Sequence, residues 1–337
     1  MQAITLYWFI WLDRHWRFSR FLLGLLIFLL LAIVFGALLG LFNLPVDIPI
    51  RQTSLGLCLF FAGLNATALT GTMAIIRRSE LALDQLKPIL RIDDERFRYL
   101  RASLSGTTAK RSWTITLISL AIGIAHSAIL SSGDPNQSYD LQFFGANLGG
   151  ILSWFIMLHL ITALVWNAHM FAKLGRDDME IDALRPELLL PFATVALLPS
   201  LTLMATQLFY PLLSLNGQFS PIATLPGFIM TLLSALYLLL RTTWPVHMRM
   251  REAKASLLAS SEGSIARWRE TNPDWNFSSD AMGELLPILA FRNHVRALPV
   301  WPFNLGLLGR WLFYVVIPPL TWVMAALMEN LIDILVV

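Results

Sequence analysis

Three of the six histidines stand inside long apolar runs, and two of these lie at matching distances from a polar flank. His126 lies 13 residues past Trp113, and His159 lies 13 residues before Ala172. The runs are joined by a short loop, so they read as antiparallel neighbours, with both imidazoles about 20 Å from one surface by helix rise. Two facing histidines at one depth are how a helical bundle holds a b-type haem or a metal ion. The plainer alternative is a histidine hydrogen-bonded to a neighbouring hydroxyl, with Ser127 and Thr162 at hand, and then no cofactor is bound.

Asn167 and His169 fall about 200° apart on a helical wheel and do not form one site. Trp166 and His169 share a face near a membrane border, which suits an aromatic anchor. Asn65 reads as a bridge between two helices. The acidic clusters Asp93-Asp94-Glu95 and Asp177-Asp178 with Glu180 and Asp182 are each flanked by arginines, Arg91, Arg96, Arg176 and Arg185. Solvated ion pairs explain them better than a carboxylate metal site. Glu329 and Asp333, four apart, share a face at the end of the last apolar run. Cys58 stands alone, so there is no disulfide framework and no cysteine metal site. Walker A, HExxH, GxSxG and GxGxxG motifs are absent, which weighs against familiar catalysis and leads us to expect a non-catalytic protein.

These side chains must be positioned by membrane helices. The chain is 56% hydrophobic and 14% charged, with mean hydropathy +0.62, whereas soluble domains carry about 25% charged residues. The expected fold is an all-α, polytopic integral membrane bundle of about seven transmembrane helices with cytoplasmic amphipathic insertions. Residues 1–20 mix Trp and Arg and read as an interfacial amphipathic N-terminus. Helices 1 and 2 fill 21–76, helices 3 to 6 fill 113–244, and helix 7 occupies 310–337. Two insertions separate them. Residues 77–112 read as two short amphipathic helices broken near Pro88. In 245–309, a helix over 252–260 is followed by a surface segment interrupted by Pro287, Pro299 and Pro302. Prolines at 191, 199 and 211 predict a kinked fifth span. The seven span interiors hold no acidic or basic residue, which disfavours ion-coupled carriers.

Lysine and arginine set the orientation. With the N-terminus cytoplasmic, every one of the 25 falls inside except Arg51, and the inner face sums to about +7 against −4 outside. The C-terminus is then extracytoplasmic, and the chain is a multi-pass protein of the cell membrane. The net charge of +3 is a topology signal, so no nucleic-acid partner is expected. Arg249, Arg251 and Lys254, close after a span, read as lipid-interface cations for anionic lipid.

Small residues recur every fourth position: Ala32, Gly36, Gly40; Gly63, Thr67, Gly71; Ser119, Gly123, Ser127; Gly145, Gly149, Ser153. Such stripes let helix backbones approach closely. They predict a tight bundle of spans 1–4 with the Leu-rich spans 5–7 around it. The expected function is a membrane scaffold or signalling subunit whose cytoplasmic insertions engage a protein partner. The alternative is a transporter or channel for an uncharged or apolar solute, and a haem- or metal-binding protein comes third. Oligomeric state is not legible in the sequence.

Overall fold

Ser19 opens the first long helix. In the computed structural model its hydroxyl accepts from the backbone N–H of Leu22 at 3.3 Å, satisfying one of the four donors that every helix start leaves free. The structure describes residues 4–16, 18–42, 48–131, 141–214, 221–272 and 279–302, with isolated positions beyond. Nine helices are found among these: α1 (Trp8–His15), α2 (Arg20–Leu38), α3 (Ile48–Leu86), α4 (Asp94–Ser105), α5 (Ala109–Ser131), α6 (Leu141–Asp177), α7 (Leu190–Thr206), α8 (Pro221–Thr271) and α9 (Ser279–Ala297). The fold is all-α, and six helices are long and apolar enough to cross a membrane. The expected seventh span, with Glu329 and Asp333, lies largely outside the described residues.

Several helices run further than expected. The segment read as the first amphipathic helix of 77–112 is the continuation of α3, which ends in a 3-10 turn at Lys87–Ile89 around Pro88. The segment 252–260 belongs to α8, a single helix of 51 residues that passes Pro226 and Pro245. Helix α9 likewise passes Pro287. A proline inside a helix frees one carbonyl, and neighbouring groups can take it up, so the composition of 245–309 exaggerated the number of breaks. The fifth span keeps its irregularity: α7 contains Pro199, then tightens into a 3-10 helix over Gln207–Ser214 containing Pro211.

Helices α3, α6, α8 and α7 pack as a closed ring, each touching the next. Helix α2 rests on α3 and α5 rests on α6, both outside the ring. Burial reflects this: 72% of the apolar stretch of α3 is buried, against 17% for α2 and 22% for α5. The expected core of spans 1–4 is therefore corrected. Small residues do bring α2 to α3 and α5 to α6, but α7 carries its own small face, Ala193, Ala196 and Ser200, all buried. Ser200 donates to the carbonyl of Ala235 on α8 at 2.8 Å, a contact possible only at close backbone approach.

The stripe glycines divide by what a side chain would meet. At Gly63 a β-carbon would run into Phe209, at Gly71 into Thr202, and at Gly149 into Phe61. At Gly123 it would lie 3.0 Å from the Cα of Ile151, and at Gly145 2.8 Å from the carbonyl oxygen of Leu38. Gly36 faces Phe42, at 3.1 Å, and Leu41, at 3.7 Å, both just past the end of its own helix. Gly40 does not pack a stripe: at φ 71° it ends α2, with Leu41 N–H on the Gly36 carbonyl at 2.9 Å and its own N–H on Ala37 at 3.2 Å.

At the basic end of the ring a second apolar cluster, including Leu83, Phe171, Phe192 and Val246, joins the helix extensions to α4. The N-terminal segment docks here too. Thr5–Leu6 pairs antiparallel with Gly106–Thr107, and Phe9 and Ile10 are buried while Trp8 and Trp11 stay exposed. Residues 1–20 are thus half structural, where a purely interfacial segment was expected. The acidic clusters tie the same region together across the chain. Arg96 pairs with Asp178 at 2.6 Å and Arg91 with Glu180 at 2.9 Å, beside a backbone bridge between Leu90 and Met179.

Candidate functional site: an uncharged cavity between α5 and α8

Helices α5 and α8 flank α6 without substantial contact with each other. Between them, at the end of the bundle away from the basic clusters, lies a cavity of about 440 Å³. Its floor is α6 and α3, including Phe60, Phe61, Met157 and Ile161. Tyr210, from the 3-10 segment after α7, closes one side and packs edge-on against Phe60 at 5.2 Å. That the fifth span tightens after Thr206 is what brings Tyr210 there.

Among the described residues no charged side chain lines this space; the polar groups there are hydroxyls, amides, Trp154 and His126. They are partly committed to one another. Ser131 donates to the carbonyl of Ser127 at 2.8 Å, and the Asn147 amide donates to the carbonyl of Phe143 at 2.9 Å. Ser127 and Ser131 also stand 3.5 Å from the carbonyl and side-chain oxygens of Asn147. Gly150 leaves room, since a β-carbon there would meet only the Ser127 hydroxyl, at 3.7 Å. The arrangement offers apolar surface and a few uncharged donors and acceptors, which suits binding of an uncharged, mostly apolar molecule. Among the described residues it is lined by no carboxylate.

The expected pairing of the two histidines does not form. His159 faces Thr116, with Nε2 3.2 Å from its hydroxyl and Nδ1 2.8 Å from the carbonyl of Phe155. His126 lies against Trp154, ring centroids 5.7 Å apart. The contacts Thr116 to His159, Gly123 to Ile151 and Ser127 to Asn147 fix the register of α5 on α6. Thr116 is ten residues from His126 on α5, so the two imidazoles differ in depth by about 15 Å. Helix α6 runs on to Asp177, and counting from Ala172 had misplaced its border. Among the described residues no group of three His, Cys, Asp or Glu is placed to hold a metal ion.

Asn65 bridges as expected, donating to Ser153 on α6 at 2.9 Å. The same offset along α3 and α6 puts Ser79 level with Asn167. Both are buried, and neither the Ser79 hydroxyl nor the Asn167 amide has a hydrogen-bond partner. Two of the three residues read as lipid-interface cations are engaged in holding helix ends. Arg249 donates to the carbonyl of Arg176 at 2.8 Å, and Lys254 to those of Arg296 and Leu298 at 2.7 Å. Terminal carbonyls of α6 and α9 lack intrahelical donors, which is why they take these cations. Arg251 is exposed.

The sequence reading missed Ser131, Asn147 and Tyr210 as cavity residues. Ser127 and Ser131 are one turn apart, as are Asn147 and Gly150 to within a residue, and that helical spacing was the available signal. Comparison with protein-family models, curated proteins and solved structures returns no match.

Proposed function

We propose that this chain is a cell-membrane protein that takes an uncharged, predominantly apolar molecule into the cavity between α5 and α8, as a binding or transport protein for such a solute. The observation that carries the reading is a 440 Å³ space with no charged lining among the described residues, inside a chain whose span interiors read as free of acid and base. A volume of this order is typical of small-molecule sites. The orientation that supports it has the N-terminus cytoplasmic and a seventh crossing at 311–335, so the cavity opens in the outer half of the membrane. In a Cys58→Ala background, Gln52→Cys should label from outside and Glu262→Cys only from inside; the reverse pattern would overturn the orientation.

The test of binding uses a photoactivatable long-chain alcohol with the protein in lipid nanodiscs. Crosslinks should concentrate on 127–131 and 147–161. Gly150→Phe fills the space without a backbone clash and should cut them about tenfold, equivalent to about 1.4 kcal/mol of binding. Equal labelling of the variant, or labelling spread evenly over the lipid-facing helices, would refute the reading.

A second reading keeps the scaffold role. Helix α8 continues far beyond a membrane's width, and α9 folds back against it, with Val295 buried and His247 stacked on Trp301 at 3.9 Å. Such an arm suits a cytoplasmic protein partner. Deleting 256–294 should then abolish the partner's capture while leaving alcohol labelling intact.

A further inference from the structure

The cavity and the basic end of the bundle share α6, and at the basic end the cations are unevenly matched. Around the α3–α4 region they meet carboxylates: Arg14 with Glu80, Lys87 with Asp94, Arg101 with Asp84. Arg176 lies beside Asp177 at 3.2 Å. Several others differ, and three of these lie around one side chain. Arg111, Lys173 and Arg241 have no carboxylate partner among the described residues.

These three come from α5, α6 and α8 and surround one exposed side chain, His169. Arg111, in the first turn of α5, holds its guanidinium 4.4 Å from the centre of the Trp166 ring. Trp166 lies nearly parallel to His169, 25° apart in plane and 6.3 Å between centroids. Arg241 on α8 donates to His169 Nδ1 at 3.0 Å. Its Nε–H is buried and has no acceptor. Lys173 follows His169 by one turn. The two guanidiniums therefore rest on aromatic faces and lone pairs, on either side of α6, where ion pairs would ordinarily hold them.

We propose that Arg111, Lys173 and Arg241, gathered around Trp166 and His169, form a binding site for the phosphate of an anionic lipid headgroup. Three positive charges of separate origin converge where the bundle leaves the membrane, and the missing component is an anion. Guanidinium groups match phosphate oxygens in geometry and lose less hydration than ammonium groups on doing so. The tryptophan lies at headgroup level, where its ring sits between apolar chain and polar head. The aromatic neighbours leave the arginines fully charged, and Trp166 holds Arg111 in place without neutralising it. The cluster opens between α5 and α8, so a lipid reaches it laterally from the bilayer with its chains remaining in the apolar phase. The site does not depend on what the outer cavity holds, and their tests fail separately.

The experiment compares phosphatidylglycerol, phosphatidylcholine and inorganic phosphate on the full chain. By native mass spectrometry, one phosphatidylglycerol should be retained per chain more tightly than phosphatidylcholine. Arg111→Gln and Arg241→Gln should each weaken it about fivefold, near 1 kcal/mol per cation, and together about thirtyfold. Arg267→Gln, on the exposed far part of α8, should leave it unchanged. A photoactivatable headgroup analogue on the wild-type protein should mark 109–113, 166–173 and 241–245, which tests the site whether or not the variants fold. Equal weakening by Arg267→Gln would reduce the effect to diffuse attraction and overturn the site. Competition by inorganic phosphate at the lipid's own affinity would assign the cluster to a soluble phosphate and overturn the lipid. Crosslinks elsewhere would refute both.

Discussion

Gly123 and Gly263 form a matched pair for testing how this bundle is held. Both are glycines inside helices, α5 and α8, so alanine at either removes the same excess backbone freedom. That change alone stabilises a helix by about 0.5–1 kcal/mol. At Gly263 nothing lies within 4 Å of the added methyl, and the gain should appear undiminished. At Gly123 the methyl meets the Cα of Ile151 at 3.0 Å and its carbonyl oxygen at 3.4 Å. These are backbone atoms of α6, fixed by that helix's own hydrogen bonds, so the whole of α5 must move instead. Overpacking of this kind costs about 1–3 kcal/mol. The balance is a net loss of up to about 2.5 kcal/mol for Gly123→Ala, and, the backbone gain being common to both, a separation between the two variants of about 1–3 kcal/mol. Unfolding in mixed micelles by titration with denaturing detergent measures both on one scale. Because α5 leans almost wholly on α6, Gly123→Ala should also expose the 109–131 segment to protease before the rest of the bundle opens. Equal stability of the two variants, or a gain at Gly123, would show that α5 and α6 are not in backbone contact there.

Two further outcomes follow from buried polar groups and the ion pairs of the basic end. A double-mutant cycle on Asn65→Ala and Ser153→Ala should give a coupling of about 0.6 kcal/mol, as for other hydrogen bonds between membrane helices, while Asn167→Leu, which sacrifices no protein partner, should match or exceed the wild type in stability. A zero coupling with a damaging Asn167→Leu would reverse the roles assigned to the two asparagines. Asp178→Ala removes the acceptor of Arg96 and should destabilise the 89–98 segment by about 1.5–3 kcal/mol, seen as new tryptic cleavage at Arg91, Arg96 and Arg98; an unchanged digest would mean that the backbone bridge at Leu90 and Met179 suffices.

The sequence by itself determined the all-α class and the apolar spans, because those follow from the length of uncharged runs and need no partner. It also located the break at Pro88, the irregular fifth span and Asn65 as a bridge, whereas Gly40, read as a stripe member, ends α2. Each is set by backbone chemistry or by a polar group that gains from a partner in an apolar phase. Tertiary structure alone decided which helices form the ring. Small stripes mark where helices can approach, but they do not name the partner, and Ala193, Ala196 and Ser200 of α7 compete for α3 and α8 on equal terms with glycines elsewhere. The histidines failed for a related reason. Equal counts from Trp113 and Ala172 do not give equal depths, because the register of α5 on α6, set by Thr116 at His159 and Gly123 against Ile151, offsets the two histidines by ten residues. The cavity, and the meeting of Arg111, Trp166, His169 and Arg241, draw on helices far apart in the chain. Their geometry arises only when α5 and α8 settle on opposite sides of α6.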